Sequence, residues 1–253
     1  MKKIVLPLLF AAFCLFATFS AQSTEAKEKN QCVECHQSIN DGSIVQKEYN
    51  DYKKSNHAQK GVTCDKCHGG YADQKDKEIA HRGVRPANDR ESLVHFQKIP
   101  STCGKCHRAE EDAFISSKHF KKLSTSGKGP NCVTCHTPKK ARILTSEVVR
   151  FLCRECHNKD SSYTSNKLTS IPADAQNTLT LFEKTTLNAD WLGEYLSLAT
   201  KTKDVSSQQK QYQDLKRKVK RAKVDWHHFK IYDTQVTLRE LLHEAEDIKE
   251  SIK

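Results

Sequence analysis

The chain has 253 residues, 36% of them apolar and 29% charged, with one methionine, 11 cysteines and 12 histidines. A soluble domain normally carries roughly 45–50% apolar residues with glycine counted, so aliphatic side chains alone would build only a thin core here. The cysteine and histidine counts argue against simple disorder and against an ordinary cytosolic enzyme.

In chain order, residues 1–22 read as a cleaved export leader. Lys2 and Lys3 form a positive start, Ile4 to Phe19 is an uncharged apolar run, and the small residues Ser20, Ala21 and Ser23 offer cleavage points. The run is shorter than the ~20 residues a spanning helix needs. Phe13 before Cys14 is too bulky for a lipoprotein signal. Cys14 then leaves with the leader.

The ten other cysteines form five pairs of one spacing, each followed at once by histidine. They are Cys32/Cys35 with His36, Cys64/Cys67 with His68, Cys103/Cys106 with His107, Cys132/Cys135 with His136 and Cys153/Cys156 with His157. This is the attachment motif of haem c. Two thiols three positions apart reach the two vinyl groups of one porphyrin, and the adjacent imidazole serves as proximal iron ligand. Structural zinc also uses such cysteine pairs. It does not require a histidine after each one, and at ~5% histidine per position five by chance come to about one in several million. A disulfide within Cys-x-x-Cys suits redox catalysis rather than scaffolding. The expected cofactors are therefore five covalently attached haems c.

The opposite side of each iron needs a second ligand. Met1 is the sole methionine, which excludes methionine from the mature chain. Seven histidines stand outside the motifs: His57, His81, His95, His119, His227, His228 and His243. His57 and His119 share an S-x-H form, seven and thirteen residues before Cys64 and Cys132. His95 lies eight residues before Cys103, and His81 lies between the second and third motifs. His227 and His228 are adjacent and point about 100° apart on a helix, so one of them is expected to face a haem. His243 reads as an exposed residue. Which iron each histidine serves is not legible here.

The motifs start at residues 32, 64, 103, 132 and 153, too irregular for a repeat array. Residues 23–160 read as a pentahaem cytochrome c domain with long loops. Ser161 to Ser170 is a polar linker, and 161–253 reads as a helical hairpin or small bundle packed on the haem domain. Its apolar stripes are Leu187, Trp191, Leu192, Tyr195, Leu196 and Ala199; then Tyr212, Leu215, Val219, Ala222, Trp226 and Phe229; then Leu238, Leu241, Ala245, Ile248 and Ile252. Packing between antiparallel helices is the plain reading of these stripes; a dimer or partner surface is the other. The fold class is thus mostly α with long loops, organised around five haems. A folded helical hairpin would deliver Trp226-His227-His228 to the haem domain.

The formal charge is +11. About ten propionates from five haems would offset nearly all of it, so the basic balance is no argument for nucleic acid. The basic run from Lys210 to Lys223 reads as a solvated helix face, or as a docking surface for an acidic redox partner or anionic lipid.

The segments KSNHAQKGVTCDKCHGGY and FISSKHFKKLSTSGKGPNCVTCH resemble those of multihaem c-type cytochromes. One group is the hydroxylamine-oxidoreductase relatives, with their tetrahaem electron acceptor; the other is the NapC/NirT quinol dehydrogenases. The resemblance covers residues 30–160. It implies closely packed haem pairs, a periplasmic electron-transfer role, and distal ligation by His57 and His119. The departures are specific. Pentahaem nitrite reductases place lysine after the second cysteine at the catalytic iron, whereas all five motifs here end in histidine. Hydroxylamine oxidoreductase is longer, and NapC/NirT proteins keep a membrane anchor.

The expected function is single-electron carriage in the periplasm, or at the cell surface, between redox proteins such as a quinol dehydrogenase, an oxidoreductase or another cytochrome. That makes it an electron-transfer protein more than an enzyme. Two alternatives stand: a reductase with one open haem acting on a small nitrogen or sulfur oxyanion, and a membrane-tethered quinol dehydrogenase. Membrane contact is expected only if the leader stays uncleaved. Cofactor binding is here folding energy, so residues 27–160 without haem are expected to give the circular dichroism of a largely unfolded chain, and the holoprotein that of a helical one.

Overall fold

A computed structural model of the protein describes residues 30–137, 144–161 and 168–252. The leader expected over 1–22 and residues 162–167 of the polar linker lie outside the described residues. The described residues form helices and no strands. In order these are α1 (Gln31–Gln37), α2 (Ile44–Tyr52), α3 (Asn56–Gln59), α4 (Asp65–His68), α5 (Lys77–Ala80), α6 (Ile99–Gly104), α7 (Arg108–Ile115), α8 (Lys118–Ser126), α9 (Cys132–Cys135), α10 (Ser146–Arg154), α11 (Ile171–Ala199), α12 (Ser206–Asp225) and α13 (Ile231–Glu250).

The two parts of the chain are held by different means. Among the described residues before 138, the buried hydrophobics are Ala113, Phe114 and Leu123. After 144, one continuous cluster runs from Val149 on α10 through Leu179, Phe182, Leu192 and Leu196 on α11, Leu215 and Val219 on α12, to Leu238, Leu241 and Ile248 on α13. The aliphatic interior therefore sits in the long C-terminal helices, and the cysteine-rich part has little of one.

The stripes on α12 and α13 face this core from Tyr212 to Trp226 and from Leu238 to Ile252; Phe229, the last residue of the expected α12 stripe, lies past the 3-10 turn and packs against His119 and Phe114 instead. The α11 stripe does not hold together. Leu192 and Leu196 are buried, while Leu187 and Trp191 are 58% and 65% exposed. The core face of α11 runs instead through Ala175, Thr178, Leu179, Phe182, Thr185, Ala189, Leu192 and Leu196. Three residues of the expected stripe, Leu187, Trp191 and Tyr195, form a second apolar line turned to solvent. Threonines carry no signal in an apolar stripe because their hydroxyls do not count as apolar. Thr178 and Thr185 bury theirs by donating to the carbonyls of Asp174 and Leu181 at 2.8 and 2.7 Å.

Between α12 and α13 the chain turns sharply. Trp226–His228 is a single 3-10 turn and Phe229 follows at φ 57°. It is the one non-glycine residue with positive φ among those described. For a bulky L-residue that conformation costs about 1–2 kcal/mol, so something in the surroundings holds it.

The core assignment is testable. Leu238, fully buried, should cost about 2–5 kcal/mol on Leu238→Ala. Leu187→Ala on the exposed line should stay within about 0.5 kcal/mol, both measured by denaturant unfolding.

Candidate haem sites

The five motifs adopt one local geometry. An i, i+3 spacing on a helical turn puts both thiols on one side. The histidine N–H then donates back to the first cysteine carbonyl: His68 to Cys64 and His107 to Cys103 at 2.9 Å, His136 to Cys132 and His157 to Cys153 at 2.8 Å. His36 lies inside α1. Helix caps fix two of these turns. The Asn30 side chain accepts from Val33 N–H at the start of α1, and Asn131 accepts from Thr134 N–H at the start of α9. The same two asparagines reach outward: Asn30 donates to the Asp65 carboxylate at 2.9 Å, and buried Asn131 to the Phe96 carbonyl at 2.8 Å.

No disulfide joins any two of the ten cysteines. Nor do three or more His, Cys, Asp or Glu side chains converge anywhere among the described residues, as a tetrahedral zinc site would require.

Histidines meet in pairs instead. His36 faces His81 with ring centres 6.2 Å apart, His57 faces His107 at 6.2 Å, His119 faces His157 at 6.0 Å and His136 faces His227 at 6.1 Å. Each pair joins one motif histidine to one outside the motifs. The separation is too wide for direct packing. Two metal–nitrogen bonds of about 2 Å each, plus the distance from each nitrogen to its ring centre, come to about 6 Å. The spacing would suit two imidazoles serving as ligands to one metal ion.

Protonation agrees. His81 Nδ1 lies 2.8 Å from the Lys77 carbonyl, and His227 Nδ1 lies 3.1 Å from the carbonyls of Lys223 and Val224. A carbonyl only accepts, so Nδ1 holds the proton in both rings. Nε2 is left with the lone pair a metal needs. Burial, reinforced by the facing His157, pushes the His119 imidazole down to about 4. Burial is also the largest cause of the lowered values at His36, His136 and His157. These rings stay neutral at physiological pH, the ligating state. The Nδ1 atoms of His119 and His157 are buried without a hydrogen-bond partner. The residues present thus fit haem c.

The S-x-H form has a structural cause. Ser55 and Ser117 are buried N-caps of α3 and α8, and each hydroxyl accepts from the N–H three residues on, at 3.1 Å. The histidine between them projects from the first helical turn. Other candidates sit differently. His95 Nδ1 accepts from Gln97 N–H at 3.3 Å, which puts its proton on Nε2, and His95 is in none of the four pairs. His228 Nδ1 lies 2.6 Å from Ser116 Oγ. His243 is 77% exposed near Glu246 and Asp247. His68 closes the second motif's turn, with Gly69 near Leu93 behind it.

Neighbouring motifs lie close enough in chain order for their thiols to influence one another. Burial, then Cys32, raises the Cys64 thiol to about 11. Burial, then Cys103 and Cys106, raises Cys67. Cys103 and Cys132 hydrogen-bond through their sulfurs, which raises Cys103. Burial, then Cys135, raises Cys153 to about 12.

Ten thiols in identical motifs are not in identical surroundings: Cys35 and Cys106 are exposed and the other eight are half-buried. Cys35 is exposed in the last turn of α1, near Cys32 of its own motif. Cys156 is half-buried beyond the end of α10, where its N–H donates to the Cys153 carbonyl at 3.2 Å and its thiol lies near that of Cys153.

The Cytochrome c554 and c-prime family matches residues 16–69, which include the first two motifs. The chain is 30% identical over 118 residues to the C-type polyheme cytochrome OmcB of Geobacter sulfurreducens, and 27% identical over 117 residues to OmcC of the same organism. Each match covers 44% of this chain and 14% of the relative, so the chain spans about a seventh of the curated relatives it matches. No solved structure matches it. The motifs and these relatives together support a multihaem c-type cytochrome.

Close packing around α8 gives a test. A Cβ on Gly129 would run into the His119 carbonyl and the Leu123 backbone. Gly129→Ala should destabilise the holoprotein by about 1–3 kcal/mol and perturb the haem absorption, seen by thermal unfolding followed in the Soret band.

Proposed function

We propose that this protein is an exported carrier of single electrons, with five haems c, one per motif, in a linear file and mostly held between paired histidines. The observation that carries the reading is the set of four imidazole pairs at 6.0–6.2 Å. Haem iron, when bound, supplies one-electron chemistry. The chain's own residues do the rest. The ten cysteines tether, Cys35 and Cys156 at the two ends of the file included. His36, His68, His107, His136 and His157 approach from the motif side. His81, His57, His227 and His119 close the other side of the first, third, fourth and fifth sites, filling positions that substrate would otherwise take. The Asn30–Asp65 and Cys103–Cys132 hydrogen bonds tie the first motif to the second and the third to the fourth, and an electron path through the chain requires such closeness.

Two further features support this. A cleft of ≈ 370 Å³ beside His157 is lined by Arg150, Arg154 and Lys159, and such cations pair well with propionates. No helix among the described residues is long and apolar enough to cross a membrane. The partners we propose are other redox proteins.

The test is the exported protein itself. Intact mass should show five added haems, and the spin-state spectrum should show four or more low-spin six-coordinate irons that do not bind carbon monoxide when reduced. A colourless product, or fewer than four such irons, overturns the reading.

A further inference from the structure

The turn between α12 and α13 lies against two of the histidine pairs at once. His227 faces His136 across 6.1 Å. Two residues on, the Phe229 ring stands edge-on to His119 with ring centres 4.2 Å apart and planes at 88°. His119 in turn faces His157. Phe229 also packs edge-on against Phe114, which touches Phe120 beside His119. Between them, His228 Nδ1 meets Ser116 Oγ at 2.6 Å, one residue before the cap of α8. The turn thus holds the element that carries His119 by a hydrogen bond and by an aromatic contact. The left-handed conformation of Phe229 is what aims its ring there. Glycine would adopt that backbone freely, yet phenylalanine is present, so the side chain is retained against local preference.

The geometry points to a two-haem clip. His227 is the second iron ligand at the Cys132/Cys135 site. Phe229 is a positioning residue that sets the plane of the His119 imidazole at the Cys153/Cys156 site. One turn of the C-terminal helices therefore governs the coordination of two consecutive haems. This rests on the bis-histidine reading above and adds to it a coupling between sites. The core cluster behind the turn, with Trp226 packed against it, gives the clip a rigid mount.

The experiment uses full-length holoprotein, with wild type, His227→Ala, Phe229→Gly and His228→Ala compared by haem count, electron paramagnetic resonance and carbon monoxide titration. His227→Ala should keep the wild-type haem count and add one high-spin, carbon-monoxide-binding haem per chain, which added imidazole returns to low spin. Phe229→Gly relieves the backbone and so remains foldable. It should keep every wild-type low-spin haem but shift the resonance of one, different from the haem opened by His227→Ala. His228→Ala should open no haem. In a Cys132→Ala/Cys135→Ala background, His227→Ala should add no high-spin signal. An unchanged spectrum in His227→Ala overturns the ligand assignment. A Phe229→Gly protein with altered melting but unaltered resonances overturns the positioning role. A wild type without low-spin haem would instead defeat the underlying reading, so the two failures are separable.

Discussion

Two imidazoles with ring centres about 6 Å apart are too far from each other for direct packing, and the gap has the width that two metal–nitrogen bonds of about 2 Å each would fill. That spacing recurs four times among the described residues, twice with stacked and twice with edge-on rings. Serine caps aim His57 and His119 from first helical turns. Backbone carbonyls accept from Nδ1 of His81 and His227, which leaves Nε2 as the nitrogen for a ligand bond. Burial keeps His119 and its partner uncharged. Each device is small, and each serves the same gap.

The division of labour between the two parts follows. The C-terminal helices bury a conventional aliphatic cluster and would be expected to hold their shape by that alone. The first part buries little apolar side chain. Its described contacts are caps, short turns and hydrogen bonds such as Asn30 to Asp65 and Tyr52 to the Val62 carbonyl. A macrocycle at each motif would supply the apolar surface that the sequence leaves out. The turn at Trp226–Phe229 is where the conventional part grips the unconventional one.

Much of this was legible in the residue order. Five Cys-x-x-Cys-His motifs name their chemistry by spacing alone, and the absence of methionine beyond Met1 points to histidine on the far side. His57 and His119 stood out because a cap and the ligand two residues later leave a readable S-x-H. The pairings did not, since they depend on how loops of unequal length fold back. His81, which closes a short helix rather than opening one, now faces His36 from 45 residues away. The choice between His227 and His228 turned on a 3-10 turn that no periodicity announces. Phe229 had no signal at all, because a left-handed phenylalanine looks like any other apolar residue in a stripe. The α11 face went astray for a related reason: buried threonines carried the core side while a leucine and a tryptophan faced out.

The most direct measurement is iron X-ray absorption on the oxidised, as-isolated protein. The account predicts an average iron bound by four porphyrin and close to two imidazole nitrogens, with no sulfur ligand. A sulfur scatterer in the first coordination sphere, or an average nearer one imidazole per iron, would contradict it.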